Sequence, residues 1–145
     1  MKFIGLDVGD KTIGVALSDD LLFTAQGVMT IERVGIQKDT GFILDLIQQH
    51  RCTGVVVGLP LNMDGTDSQQ TIKVREFATL LANKLKSNGL QDVEVIFQDE
   101  RFSTSIATDI LIKADVSRKK RKTVIDKQAA VIILQSYLDR IRNQR

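Results

Sequence analysis

Residues 3–19 have the sequence FIGLDVGDKTIGVALSD, and this stretch decides the fold. Two apolar runs, at 3–8 and 13–17, flank a short polar turn that contains Gly9 and Asp10. Apolar runs joined by a glycine-containing turn predict a β-hairpin. The first run carries an acid, Asp7, and a carboxylate on a core strand is costly to bury unless it is paired or binds a metal ion. Asp7 is therefore the first candidate functional residue.

The hairpin alone leaves three interpretations of Asp7 open. An Asp-x-Gly hairpin holds phosphate in actin-like phosphotransferases and holds metal in ribonuclease-H-like nucleases, while an Asp at the end of a strand also caps turns. Gly9 and Gly14 have the spacing of a P-loop, but Val15 and Ala16 stand where that motif needs Lys followed by Ser or Thr. The length of 145 residues argues against the two lobes of an actin-like protein.

Length and composition predict one globular domain over residues 1–145, with 43% hydrophobic and 26% charged residues. The net charge of +2 is too small to indicate a nucleic-acid partner by itself.

No run approaches the roughly 18 apolar residues of a membrane span, and acids interrupt the first apolar run, so a cytoplasmic protein is expected. His50 and Cys52 are each the only residue of their type, which excludes disulfide frameworks, thiolate zinc sites and metal sites with several histidines. At the end of a predicted helix they are expected to be a surface residue and a small buried one, so carboxylates are left for any hydrolytic chemistry.

Periodicity further along the chain predicts alternating helices and strands. We expect a third strand over 25–32, a helix ending near His50, a buried strand over 54–58 and a fifth strand near 93–98. Between the last two, a helix is predicted from a capping box at Thr66 and Gln69 to a stop at Gly89. Its apolar stripe is expected to be Ile72, Phe77, Leu80, Leu81 and Leu85. A helix capped by Ser103 and a final helix from about Val124 to Ile141 complete the chain.

This order of elements predicts an α/β fold with a five-stranded mixed sheet flanked by helices. The first strand is expected beside the fourth, with the fifth outside it. Ligands of such sheets bind at the carboxyl ends of the strands. Asp7 lies near the end of the first strand, Asp64 just past the fourth and Glu100 just past the fifth. The sequence therefore predicts acids gathered at one rim of the sheet.

Asp126 is a further candidate, on the last predicted helix. Ala129, Ala130 and Ile133 follow it at helical spacing, so the acid shares their apolar face, which should press against the sheet. The two alanines would allow close approach. The simpler interpretation is an acid in the first helical turn that complements the helix dipole.

Clustered carboxylates without other catalytic groups fit an oxygen-ligand site for Mg²⁺ or Mn²⁺, and two such ions would serve phosphodiester cleavage. Five consecutive positive charges, from Arg118 to Lys122, precede Asp126 and could hold a phosphate backbone, although lysine-rich loops are usually just solvated. Arg101 either contacts the scissile phosphate or pairs with a nearby acid. The predicted basic residues of the nucleic-acid interface are Arg101, Arg118, Lys119, Lys120, Arg121 and Lys122.

Four motifs resemble the YqgF family and cover nearly the whole chain: GLDVG at 5–9 with IGVA at 13–16, VGLPLNMDGT at 57–66, DER at 99–101 with ST at 103–104, and Asp126 before Ala129 and Ala130. The resemblance implies a ribonuclease-H-like fold, similar to bacterial Holliday-junction resolvases. It implies a cytoplasmic nuclease that matures the 5′ end of precursor 16S ribosomal RNA. The resemblance implies that the family's three acids correspond to Asp7, Glu100 and Asp126. It also implies that residues 58–65 form a loop on the substrate side.

Glu100 must reach across the fourth strand to meet Asp7, which makes Asp64 the alternative ligand. Three functions are left open: a metal-dependent nuclease of structured RNA, a resolvase of four-way DNA junctions, and a non-enzymatic RNA-binding module. Resolution of a junction requires a dimer, because two strands are cut symmetrically. The sequence is compatible with a monomer or a weak homodimer.

Overall fold

The computed structural model describes residues 1–101 and 118–143, with side chains described for 1–101 and 128–143. This part of the chain forms one five-stranded sheet and three helices. The elements are β1 (Phe3–Val8), β2 (Thr12–Ser18), β3 (Ala25–Glu32), α1 (Ile36–His50), β4 (Gly54–Leu59), α2 (Gln69–Ser87), β5 (Glu94–Asp99) and α3 (Arg118–Asn143).

The strand order is β3-β2-β1-β4-β5, which confirms the predicted topology. β1 pairs antiparallel with β2, and it pairs parallel with β4, from Phe3 beside Gly54 to Leu6 beside Val57. β5 adds to β4 in parallel at the edge. All six residues of β4 are buried, as expected of a continuous apolar run that is covered on both faces. β3, at the other edge, spans the predicted residues.

Each face of the sheet has its own apolar core. Helices α1 and α2 cover one face and α3 covers the other. The first core includes Ile4, Leu6, Val8, Ile13, Val15, Val55, Val57, Phe77 and Leu81. The second contains Phe3, Ala16, Val56, Ala130, Ile133, Leu134 and Leu138.

Helix α3 lies unusually close to the sheet at Gly5. A Cβ atom at this glycine would lie 2.7 Å from the Cβ of Leu134 and 3.2 Å from the backbone oxygen of Ala130. Ala129 and Ala130 are both buried, so the alanine pair does allow the close approach that the sequence predicts. The helix therefore has no room to shift toward β1.

Helix α2 differs from the prediction in its cap and its buried face. Its N-cap is Ser68 rather than Thr66, and its partner in the capping box is Thr71. Ile72 is 58% exposed, because a residue five positions before Phe77 does not share its helical face. The buried positions are Thr71, Val74, Phe77, Ala78, Leu81 and Leu85. Gly89, with a φ of +74°, follows the end of the helix as predicted.

Helix α3 begins at Arg118, six residues before the predicted start at Val124, and it contains the basic run. Self-repulsion of the five cations suggested that they would lie outside a helix. Lys and Arg have high intrinsic helix propensity, which outweighs that repulsion here. The predicted helix capped by Ser103 lies outside the described residues.

Replacement of Ser68 by alanine should lower the free energy of unfolding by about 1 kcal/mol, because the Ser68 hydroxyl caps α2. Its Oγ accepts a hydrogen bond from the Thr71 amide (3.1 Å) and donates one to the Pro60 oxygen (3.0 Å). Urea unfolding measures the loss. The control is Ser87→Ala, at the exposed opposite end of the helix, which should change stability by less than about 0.5 kcal/mol. Equal losses in both variants would contradict the assignment of the cap.

Candidate functional site

Asp7 lies at the carboxyl end of the central strand β1, on the face covered by α3. Its neighbours Leu6 and Val8 point into the opposite core, so alternation along the strand turns Asp7 toward α3. Gly14 lies directly opposite Asp7 on β2. On the other side, the β1–β4 pairing ends at Leu6 and Val57, one residue before Gly58. The surroundings of Asp7 within the sheet are thus largely backbone.

The turn after Asp7 is held by α2 and by the connection between β3 and α1. Gln70 of α2 donates from Nε2 to the Val8 oxygen (3.0 Å), and Arg33 donates from Nη1 to the Gly9 oxygen (2.9 Å). Arg33 in turn donates from Nε to Asp39 of α1 (2.9 Å), whose side chain is 1% exposed. Asp7 therefore precedes a rigidly supported turn.

Asp39 is a buried carboxylate with a structural role that sequence reasoning missed. Burial acts to raise its pKa, but hydrogen bonds from the Val34 amide and the Arg33 guanidinium outweigh this effect and hold the pKa below its ordinary value. No local pattern marks the pair, since Arg33 and Asp39 are separated by Gly35 and an irregular connection.

Glu100 reaches Asp7 by crossing β4 at Gly58. Its amide donates to the Leu59 oxygen (3.2 Å), which continues the β4–β5 pairing by one residue. Its Oε2 lies 2.6 Å from the position that a Cβ of Gly58 would occupy. The difficulty of reaching past the fourth strand is removed because this strand carries no side chain at the crossing point.

Glu100 is half-buried, with its Oε2 atom inaccessible to solvent, and its environment favours the neutral acid. Burial is the main cause that raises its pKa to about 8, and the charges of Asp7 and Asp99 raise it further. Oε2 is inaccessible to solvent and has no hydrogen-bond partner among the described residues. The structure thus brings two of the predicted acids together, and one of them has an oxygen for which the described part of the chain supplies no donor.

Asp64, the alternative ligand, is engaged in its own loop. Its Oδ1 accepts hydrogen bonds from the amide (3.0 Å) and the hydroxyl (2.6 Å) of Thr66. The hydroxyl is the main reason that its pKa lies below the ordinary value. Asp64 is exposed, whereas Oε2 of Glu100 is inaccessible to solvent and the charge of Asp7 acts on this group.

Arg101 ties β5 to the loop after β4. Its guanidinium pairs with Asp99 (2.6 Å) and donates from Nη1 to the Met63 oxygen (3.1 Å). Pairing with a nearby acid is one of the two roles predicted for this residue. Contact with a phosphate stays a prediction, and the side chain is 32% exposed.

Asp126 and the basic run lie in the first half of α3. Their side chains are outside the described part of the chain, so the positions of these groups stay predictions. Among the residues whose side chains are described, no three His, Cys, Asp or Glu residues are grouped closely enough to hold a metal ion. A three-acid site therefore needs a ligand such as Asp126. No helix within the described ranges has both the length and the apolar character needed to cross a bilayer.

Comparison with solved structures shows the ribonuclease-H-like fold. RuvC from Thermus thermophilus in complex with a Holliday junction has a TM-score of 0.58 and 12% identity, with 98% of this chain and 96% of that chain covered. The fowlpox virus resolvase in complex with junction DNA has a TM-score of 0.61 and 12% identity, with coverage of 97% and 99%. At this identity the likeness concerns the fold alone, and it confirms the predicted fold class.

Sequence comparison shows the family. A Clostridium tetani protein named as a candidate pre-16S rRNA nuclease is 46% identical, over 99% of this chain and 100% of its own length. A Clostridioides difficile protein of the same name is 51% identical, over 95% of this chain and 94% of its own length. The sequence profile of the RuvX family, described as Holliday junction resolvase, matches residues 1–140. The relationship predicted from the four motifs is confirmed, and the chain belongs to the RuvX family.

Proposed function

We propose that this protein is a metal-dependent nuclease that hydrolyses phosphodiester bonds, and that its substrate is the 5′ end of precursor 16S ribosomal RNA. The single observation that carries the proposal is the buried Oε2 of Glu100, which lacks a hydrogen-bond donor among the described residues and feels the charge of Asp7. Two adjacent carboxylates at the carboxyl ends of strands can both be ionised near neutral pH only when a cation compensates their charge. The names of the close relatives support the choice of substrate.

The donor set fits Mg²⁺ or Mn²⁺. Both ions prefer carboxylate oxygens, and Asp7, Glu100 and Asp126 would hold them. Asp64 is the alternative to Glu100. Bound divalent ions would neutralise the carboxylates and activate a water molecule for attack at phosphorus. We propose two ions, by analogy with other phosphodiester-cleaving sites.

The residues of the chain have distinct roles in this proposal. The supported turn after Asp7 keeps its carboxylate fixed, and Glu100 completes the acidic surface from the edge strand. Ile133, 1% exposed, packs over Gly58 beside Glu100 and excludes water from this side of the site. The basic run at the start of α3 would bind the phosphate backbone of the substrate without reading its sequence.

A four-way DNA junction is the second candidate substrate, favoured by the description of the matching family. Symmetric cleavage of a junction requires two copies of the site. Sedimentation of the protein with and without junction DNA tests this requirement, and a strictly monomeric complex would count against the junction.

Cleavage assays on a precursor 16S RNA fragment and on a four-way DNA junction, each with Mn²⁺ or Mg²⁺, test the proposed function directly. We expect cleavage of the RNA at its 5′ side and loss of cleavage in EDTA. Cleavage of the junction without cleavage of the RNA would identify the four-way DNA junction, and not the RNA, as the substrate. Tight RNA binding without cleavage of either substrate would favour a binding module.

The basic run should contribute a salt-dependent part of RNA affinity. In a Lys119→Ala/Lys120→Ala variant, the slope of log Kd against log salt should decrease in magnitude by about 1.4 to 1.8, because each lost phosphate contact contributes roughly 0.7 to 0.9. The matched control is Lys38→Ala/Lys86→Ala, which removes two exposed lysines from α1 and α2. Fluorescence anisotropy at several salt concentrations measures the slopes. Equal slopes for the two variants would show that the basic run does not contact the RNA.

A further inference from the structure

Gly58 lies at the point where the two acids of the site meet. β4 separates the edge strand β5 from the central strand β1, so a side chain that follows β5 must pass over β4 to reach Asp7. Gly58 pairs with Gln98, two residues before Glu100, and therefore occupies the crossing point.

Space, and not backbone conformation, explains the glycine at this position. Gly58 is absent from the glycines with positive φ, which are Gly35, Gly65 and Gly89, so its backbone is compatible with alanine. A Cβ at residue 58 would lie 2.6 Å from Glu100 Oε2 and 3.1 Å from Ile133 Cγ1, and it would collide with Ile133 Cδ1. Real Cβ atoms essentially never show contacts under 3.0 Å.

Two groups compete for this space, and only one of them can leave it readily. Ile133 belongs to α3, is 1% exposed and is packed in the second core with Ala130 and Leu134, so its side chain cannot turn to solvent. The carboxylate of Glu100 is the far end of a flexible side chain and can rotate toward solvent. A methyl group at residue 58 would therefore displace the acid in preference to the helix.

We propose that Gly58 is a positioning residue, whose missing side chain gives the carboxylate of Glu100 its passage across β4 to Asp7. This inference rests on the proposed function for its effect on metal binding and cleavage. Its geometric part, the position of the carboxylate, stands apart from that function.

The test separates the carboxylate from the packing of α3. Gly58→Ala alone also collides with Ile133, so the informative variant is Gly58→Ala/Ile133→Ala, which removes the Cγ1 and Cδ1 atoms of Ile133. Ile133→Ala alone provides the baseline for lost packing. Three readouts are compared for wild type and both variants: a metal-free crystal structure, the rise in Tm on addition of Mn²⁺, and the rate of RNA cleavage.

In the double variant we expect the carboxylate of Glu100 to leave residue 58 and point to solvent. Relative to Ile133→Ala, the Mn²⁺-dependent rise in Tm should be lost, and cleavage should fall by about 100-fold, the cost of a misplacement near 1 Å. A carboxylate that still lies beside Asp7, or an unchanged Mn²⁺ effect and cleavage rate, would overturn the inference. If wild type itself shows neither a Mn²⁺ effect nor cleavage, the proposed function fails, and the crystal structures alone decide the position of the carboxylate.

Discussion

Asp7→Asn is expected to reduce RNA cleavage by at least about 10³-fold, equivalent to ~4 kcal/mol of transition-state stabilisation. Asparagine has nearly the same shape as aspartate, so the hairpin should fold as before, but it cannot supply the negative charge that a divalent ion requires. Single-turnover cleavage with Mn²⁺ measures the loss, and circular dichroism confirms the fold.

The matched control for Asp7 is Asp10→Asn, in the same hairpin turn. Asp10 has a 62% exposed side chain and pairs only at the surface with Lys73 (3.2 Å). Its replacement should change the cleavage rate by no more than about twofold, as for surface substitutions of up to about 0.5 kcal/mol. Wild-type cleavage by Asp7→Asn would contradict a catalytic site at the end of β1.

The second large effect concerns the stability of the metal-free protein, which should fall as the pH rises from about 4.5 to 8. Burial raises the pKa of Glu100 from its model-compound value of 4.5 to about 8 in the folded protein. Between these values the folded state holds a proton that the unfolded state has released, so increasing pH favours unfolding. The change should amount to a few kcal/mol and end above pH 8.

Glu100→Gln should remove most of this slope, because the amide has no proton to lose in that range. Urea unfolding in EDTA at several pH values measures the effect, and Glu94→Gln, exposed on the same strand, is the control. In wild type, Mn²⁺ at pH 8 should restore stability by binding the folded state. A pH slope that is the same in Glu100→Gln and wild type would show that Glu100 is not the group responsible.

The sheet could be predicted from sequence because its signals are local. The hairpin is contained in residues 3–19, and the apolar run at 54–58 is buried on both faces as expected. Chain order and short connections then left few arrangements for the strands. The candidate acids Asp7, Asp64 and Glu100 followed from the same reasoning, since each lies at or just past the end of a strand, and the family resemblance favoured Glu100 over Asp64.

The remaining features depend on contacts between distant residues. Glu100 reaches Asp7 only because residue 58, on another strand, is glycine, and no local pattern contains this information. The buried face of α2 shifted because tertiary packing selected Val74 and Ala78 and left Ile72 exposed. α3 begins before the predicted Val124 because the helix propensity of Lys and Arg outweighs the repulsion between their charges.

The contact between α3 and Gly5 has a consequence for the order of folding. It joins residues more than 120 positions apart, and the bond from the Ala25 amide to Gln135 Oε1 (2.9 Å) spans 110 positions. Closing such long loops slows folding, so docking of α3 is expected to be a late event. Until then, the sheet face that carries Asp7 is open to water. A chain still emerging from the ribosome would therefore lack a finished site, and nuclease activity would begin only after synthesis has passed α3.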